Sequence, residues 1–164
     1  MDDITYESMS TSILWMKRLL FAGVFIQENK LHTIYDRYND ITSKQWLLMA
    51  VCSAYPSPPD LTTLGVAMGC SRQNVKKLAE QLVKINYMEL IKSKTDSRSV
   101  CVVITEQGNA YLQKCGAYAE QVFNTMFCEF TDDEIKQYYQ MSVKAMKGID
   151  HLEELFKSIN SANE

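Results

Sequence analysis

The sequence is short of the residues from which most catalytic and metal centres are built. It has two histidines, His32 and His151, and no His-Glu-x-x-His pair, too few ligands for a histidine-rich metal sensor. Five cysteines (Cys52, Cys70, Cys101, Cys115, Cys128) are odd in number and never spaced Cys-x-x-Cys, so no zinc ribbon or dithiol site is supported and a reducing compartment is expected. The six glycines form no phosphate-binding loop, and no Gly-x-Ser-x-Gly elbow occurs. We therefore expect no enzyme, no catalytic residues, no cofactor and no metal.

Positive charge is also in the minority. With 17 Lys and Arg against 20 Asp and Glu the chain carries −3, so its whole body is not that of a nonspecific nucleic-acid binder. Long apolar runs are missing too: Ile13 to Ile26 is too short to cross a bilayer and holds Lys17 and Arg18, which predicts a buried helix and no membrane partner. The first residues, Met-Asp-Asp-Ile-Thr-Tyr-Glu, are acidic where a secretory signal is basic, so a cytoplasmic location is expected. Neither internal repeats nor low-complexity segments interrupt the chain.

What is present is ordinary globular composition, 46% hydrophobic over 164 residues, the size of one domain. Met9 to Tyr35 lacks proline and repeats apolar residues every three or four positions (Met9, Ile13, Met16, Leu20, Val24), predicting a long helix. Its apolar stripe is wide enough to need cover on two sides, one of them a subunit interface. Thr42-Ser-Lys-Gln45 is a capping box opening a second helix that turns Trp46, Leu47, Met49 and Ala50 inward and ends at Pro56-Ser-Pro-Pro59. A short third helix is expected over Thr62 to Met68.

Gly69-Cys70-Ser71 then reads as a turn into a helix capped by Ser71. Val75, Leu78, Ala79 and Leu82 share one face of it, leaving Gln73, Lys77 and Lys84 opposite and Asn74 and Lys76 on the flanks. Asn86 suits the left-handed residue that ends such a helix. Met88–Ser93 and Ser99–Ile104 predict a β-hairpin with a polar tip. A long helix follows from Thr105 to about Phe130, and Thr131-Asp-Asp-Glu134 caps a last one to about Asn160.

Two short helices joined by a glycine turn can lay the second in the major groove of duplex DNA. The side chains there have the chemistry for base and phosphate recognition. Gln73 and Asn74 can pair with adenine, Arg72 with guanine, and Ser71, Lys76 and Lys77 can hold phosphates or bases. Ser71 to Arg98 holds seven Lys and Arg (72, 76, 77, 84, 92, 94, 98) against three Asp and Glu (80, 89, 96), a local +4 on a remainder of −7. An acidic molecule would meet DNA with that strip.

These residues resemble the MarR family of regulators. The resemblance rests on Ile41-Thr42-x-x-Gln45, Leu64-Gly65-x-x-Met68-Gly69-Cys70-Ser71-x-x-Asn74-Val75, the Leu78–Leu82 spacing, Asp96-x-Arg98 and Ile104-Thr105-x-x-Gly108, and it covers nearly the whole chain. It implies a mainly α fold with a small β-hairpin wing, a winged helix-turn-helix (39–105) flanked by dimerisation helices (1–38 and 106–160). It further implies a homodimer on a palindromic operator, a repressor in most relatives, released by a small-molecule effector or an oxidant. Ser71 to about Ile85 would read the major groove. In the wing, Lys94 and Arg98 would meet DNA, Arg98 in or near the minor groove, with Asp96 bracing the loop. Four positions depart from the family pattern: Gly65 for alanine, Asn86 for glycine, Lys92 for a strand arginine and Ser97 for a second wing arginine.

Two readings stay open beside this one. Cys70 is either a small core residue at the turn or a redox thiol activated by the dipole of the helix it precedes. The same fold, used without sequence-specific DNA binding, would instead be a protein-interaction module docking an acidic partner.

Overall fold

The computed structural model describes residues 12–93 and 99–161. The elements run α1 (Ile13–Tyr38), α2 (Ser43–Ser53), α3 (Leu61–Ala67), α4 (Arg72–Lys84), β1 (Met88–Lys92), β2 (Val100–Ile104), α5 (Glu106–Met126) and α6 (Asp132–Ser161). The fold class is the one expected, mainly helical with an antiparallel hairpin. The chain divides into two units, Met1–Lys114 and Cys115–Glu164.

The helix ends lie where side chains can satisfy orphan amides. Thr42 Oγ1 accepts from the Gln45 amide while Gln45 Oε1 accepts from the Thr42 amide, a complete capping box. Asp60 caps α3 through the amides of Thr62 and Thr63 (2.9 and 2.8 Å). In the second unit, Thr131 and Glu134 cap each other reciprocally ahead of α6.

The buried core of the described residues lies wholly between Ile41 and Tyr111. Leu48 and Met49 of α2, Leu61 and Leu64 of α3, Val75, Ala79 and Leu82 of α4, Met88 of β1 and Val102 of β2 are all shut off from solvent. Burying each such Leu, Met or Val contributes about 1.5–3 kcal/mol before entropy is counted. Here α2 departs in part from the sequence expectation: Met49 is buried as expected, but Leu48 and Cys52 are buried beside it and Leu47 is 41% exposed. The run Trp46–Cys52 is apolar on almost every side, so its period does not select a face; packing against α4 and β2 does.

The hairpin pairs Met88 with Ile104, Leu90 with Val102 and Lys92 with Val100, and Ser93 N–H donates to the Ser99 carbonyl at 2.9 Å. An isolated β-bridge flanks the hairpin. The Val102 amide donates to the Pro59 carbonyl at 2.9 Å, and Asp60 bridges Cys101. Proline is tolerated because only its carbonyl faces β2.

α1 and α6 bury no residue. On α1, Leu20 is 72% exposed and Phe21 and Val24 are nearly as open, so these apolar positions lack the expected cover among the described residues. In the second unit Tyr139, Met146 and Phe156 are likewise exposed.

Candidate nucleic-acid interface

The turn before α4 is built by three local constraints. Gly69 has φ +63°, in the left-handed region that glycine enters without a Cβ penalty. The Cys70 amide returns to the Gly65 carbonyl at 2.9 Å. Ser71 Oγ then accepts from the Asn74 amide at 3.2 Å and starts α4. Gly65 is needed here for space: a Cβ on it would lie 2.8 Å from the Cys70 carbonyl oxygen and 3.4 Å from the Arg72 nitrogen. The alanine expected from the resemblance would push this turn apart.

α4 is sharply two-faced. Val75, Ala79 and Leu82 are 0% exposed and Leu78 is half-buried, whereas Ser71, Arg72, Gln73, Asn74, Lys76 and Lys77 are all exposed. The structure thus brings the six candidate residues of this helix together on its open side and amino-terminal half. The wing candidates Lys94, Asp96 and Arg98 lie outside the described residues.

Two carboxylates temper the positive charge of this neighbourhood. Glu80 Oε1 is 3.6 Å from Lys76 Nζ, an exposed pair worth about 0.2–1 kcal/mol that occupies part of Lys76's charge. Asp60 is held below the usual aspartate range, first by the Thr63 amide it accepts and also by the positive charge of Arg72. Asp-Leu-Thr-Thr ahead of an apolar run was a legible cap; its reach to Arg72 was not, since twelve residues separate the two.

The far end of α4 is fastened to α5. Asn86, at φ +58°, donates from Nδ2 to Gln107 Oε1 (3.1 Å), and Thr105 Oγ1 donates to the Asn86 carbonyl (2.6 Å). Gly108 lets the start of α5 press on the hairpin: a Cβ there would collide with the Tyr87 carbonyl and with Ile104 Cγ2. Tyr87 and Tyr111 stack with ring centroids 5.1 Å apart.

The cysteines differ in setting. Cys52 is buried, donates to the Val102 carbonyl at 3.6 Å, and has its thiol pushed up to about 11 by burial, which makes it a poor nucleophile. Cys70 is half-buried at the turn. Among the described residues no three His, Cys, Asp or Glu side chains converge as a metal site. No described helix is long and apolar enough to cross a membrane. A shallow hollow of about 190 Å³ lies between the end of α2, the Pro56–Pro59 segment and β2.

No family-level sequence profile matches the chain. Transcriptional repressor MprA of Escherichia coli is 25% identical over 91 residues, 56% of this chain and 52% of that protein, so the match spans about half the length of this curated relative. Among solved structures, a MarR/EmrR family transcriptional regulator from Acinetobacter sp. ADP1 is similar with a TM-score of 0.72 and 21% identity, over 83% of this chain and 98% of that one. A cysteine-to-serine mutant of MarR from E. coli, complexed with operator DNA, is similar with a TM-score of 0.70 and 19% identity, over 83% and 99%. The resemblance read from the motifs therefore extends to three dimensions.

Proposed function

We propose that this chain, which carries the fold of the MarR/EmrR regulators, is a sequence-specific double-stranded DNA-binding transcription regulator of the cytoplasm. One observation carries the reading: α4 packs by the buried Val75, Ala79 and Leu82 and starts at a capped, glycine-dependent turn, while Gln73 and Lys77 on its opposite face and Arg72, Asn74 and Lys76 on its flanks are exposed. A rigid helix with bidentate donors and acceptors on its free side is what major-groove readout requires. A structural neighbour, MarR of E. coli, is known complexed with operator DNA, which supports duplex DNA as the partner. In this reading Lys94, Asp96 and Arg98 belong to the DNA-binding residues as well.

The bare apolar stripe of α1 and that of α6 favour a homodimer built from residues 1–38 and 106–160, with residues 39–105 as the DNA-binding lobe. Two lobes related by a twofold axis would read a palindromic operator. Repression is the expected outcome, released when a small molecule or an oxidant, the latter through Cys70, changes the spacing of the lobes. The chain performs no catalysis in this reading.

Selection of duplexes from a random-sequence pool tests it. We expect a palindrome to emerge and its binding to weaken steeply with salt. Retained sequence preference after replacing Arg72, Lys76 and Lys77 together by alanine would remove α4 from the interface. Binding without any preference would favour the protein-docking role instead.

A further inference from the structure

The amino-terminal end of α2 is a junction of three helices. The Thr42 amide donates to Gln45 Oε1 at 2.8 Å, and Gln45 Nε2 donates to Gln81 Oε1 of α4 at 3.0 Å. The next amide, that of Ser43, donates at 2.6 Å to Asp36 Oδ1 in the last turns of α1. Because a backbone N–H can be met only by the carboxamide oxygen, Gln45 has one permitted orientation, and Gln81 must answer with its own oxygen. The two leading amides of α2 therefore tie it to α1 directly and lead through Gln45 to α4.

The apolar seam of α4 cannot replace this tie. The burial of Val75, Ala79 and Leu82 is non-directional, so it resists separation of the helices more than a small rotation of α4 about its own axis. Gln81 lies about 100° round the helix from Leu82, where a bond opposes rotation. With side chains reaching roughly 5–6 Å from the axis, a turn of about 20° moves their tips by about 2 Å. That displacement breaks a base-edge hydrogen bond, whose useful range is about 2.7–3.2 Å.

We propose that Gln45 is a positioning residue that sets the rotation of α4 by holding Gln81, indexed to the α1–α2 corner at Asp36. It touches no DNA itself. This rests on the DNA-binding reading given above.

The test uses the full chain and the duplex that the wild-type protein selects from a random pool, and measures its preference over a scrambled duplex, a ratio in which bulk charge cancels. Gln45→Glu and Gln81→Glu should each stay within about threefold of wild type, since Gln81 can turn its Nε2 toward a carboxylate at position 45 and Gln45 already points its Nε2 at position 81. Q45E/Q81E opposes two acceptors with no donor and should lose about tenfold more preference than the two single changes together. Q45E/Q81K, which restores a donor at position 81, should recover to within about threefold. Near-wild-type melting temperatures across the set would separate positioning from loss of folding. Additive single and double variants, or a double variant that Q45E/Q81K fails to rescue, overturn the inference alone. If the wild-type protein selects no duplex, the DNA-binding reading falls and the inference with it.

Discussion

Gly65 and Cys70 approach so closely that a single Cβ on the glycine would stand 2.8 Å from the cysteine's carbonyl oxygen. The neighbour is backbone, which cannot rotate aside, and the Cys70 amide is bonded to Gly65's own carbonyl. Gly65→Ala must therefore open the turn and displace the start of α4. We expect a loss of about 1–3 kcal/mol in denaturant unfolding, with operator affinity falling by more than the loss of folded protein explains.

The open face of α4 makes separable predictions. Lys77→Ala should weaken binding about equally on all sequences and lower the salt slope by about 0.9 for each phosphate no longer neutralised. Gln73→Ala and Asn74→Ala should instead relax base preference at single positions, by about 1–3 kcal/mol where a bidentate pair is removed. Fluorescence anisotropy over a salt series and a set of base substitutions distinguishes the two patterns.

Glu80 restrains Lys76 across a 3.6 Å gap. Removing that charge with Glu80→Gln should tighten binding several-fold at low salt, an advantage that vanishes as salt screens the interface. An unchanged or weaker affinity at low salt would show that Lys76 does not face the phosphates.

Asp60 and Asp36 both have folded-state acidities stronger than those of ordinary aspartates, owing first to the backbone amides of Thr63 and Ser43 respectively. Because these carboxyls bind protons less readily when folded, each favours the folded state at neutral pH. That contribution fades as pH drops below about 4 and through their lowered folded values. Asp60→Asn keeps a capping oxygen but not the charge. Its melting temperature should fall less steeply than wild type's between about pH 5 and pH 2.

Features that depend on neighbours three or four residues away were legible in the sequence. The Thr42–Gln45 and Thr131–Glu134 boxes, the Ser71 cap and the left-handed Asn86 all stand as their residue types dictated. So did the helix-turn-helix and hairpin order, because periodicity and turn chemistry changed together from element to element. What was hidden depends on distant partners. Which side of α2 faces inward, the hydrogen bond from Val102 to Pro59, and the contact of Gln45 with Gln81 across 36 residues are set by packing, and none leaves a local pattern. The proposed site was half legible for the same reason. Its recognition residues followed from helical geometry, and Glu80, four residues from Lys76 on the same helix, is local too, whereas the reach of Asp60 to Arg72 emerged only once the helices were assembled.

Cys52 offers a way to watch this lobe open. Its sulfur is shut inside the same core that carries α4 and is held almost wholly as the thiol at neutral pH. A maleimide or disulfide reagent should modify the other four cysteines first and reach Cys52 only when the core parts. With those four replaced by serine, the labelling rate becomes a clock for rare opening of the folded lobe, and ligands or DNA that steady it should slow that clock in proportion to their binding.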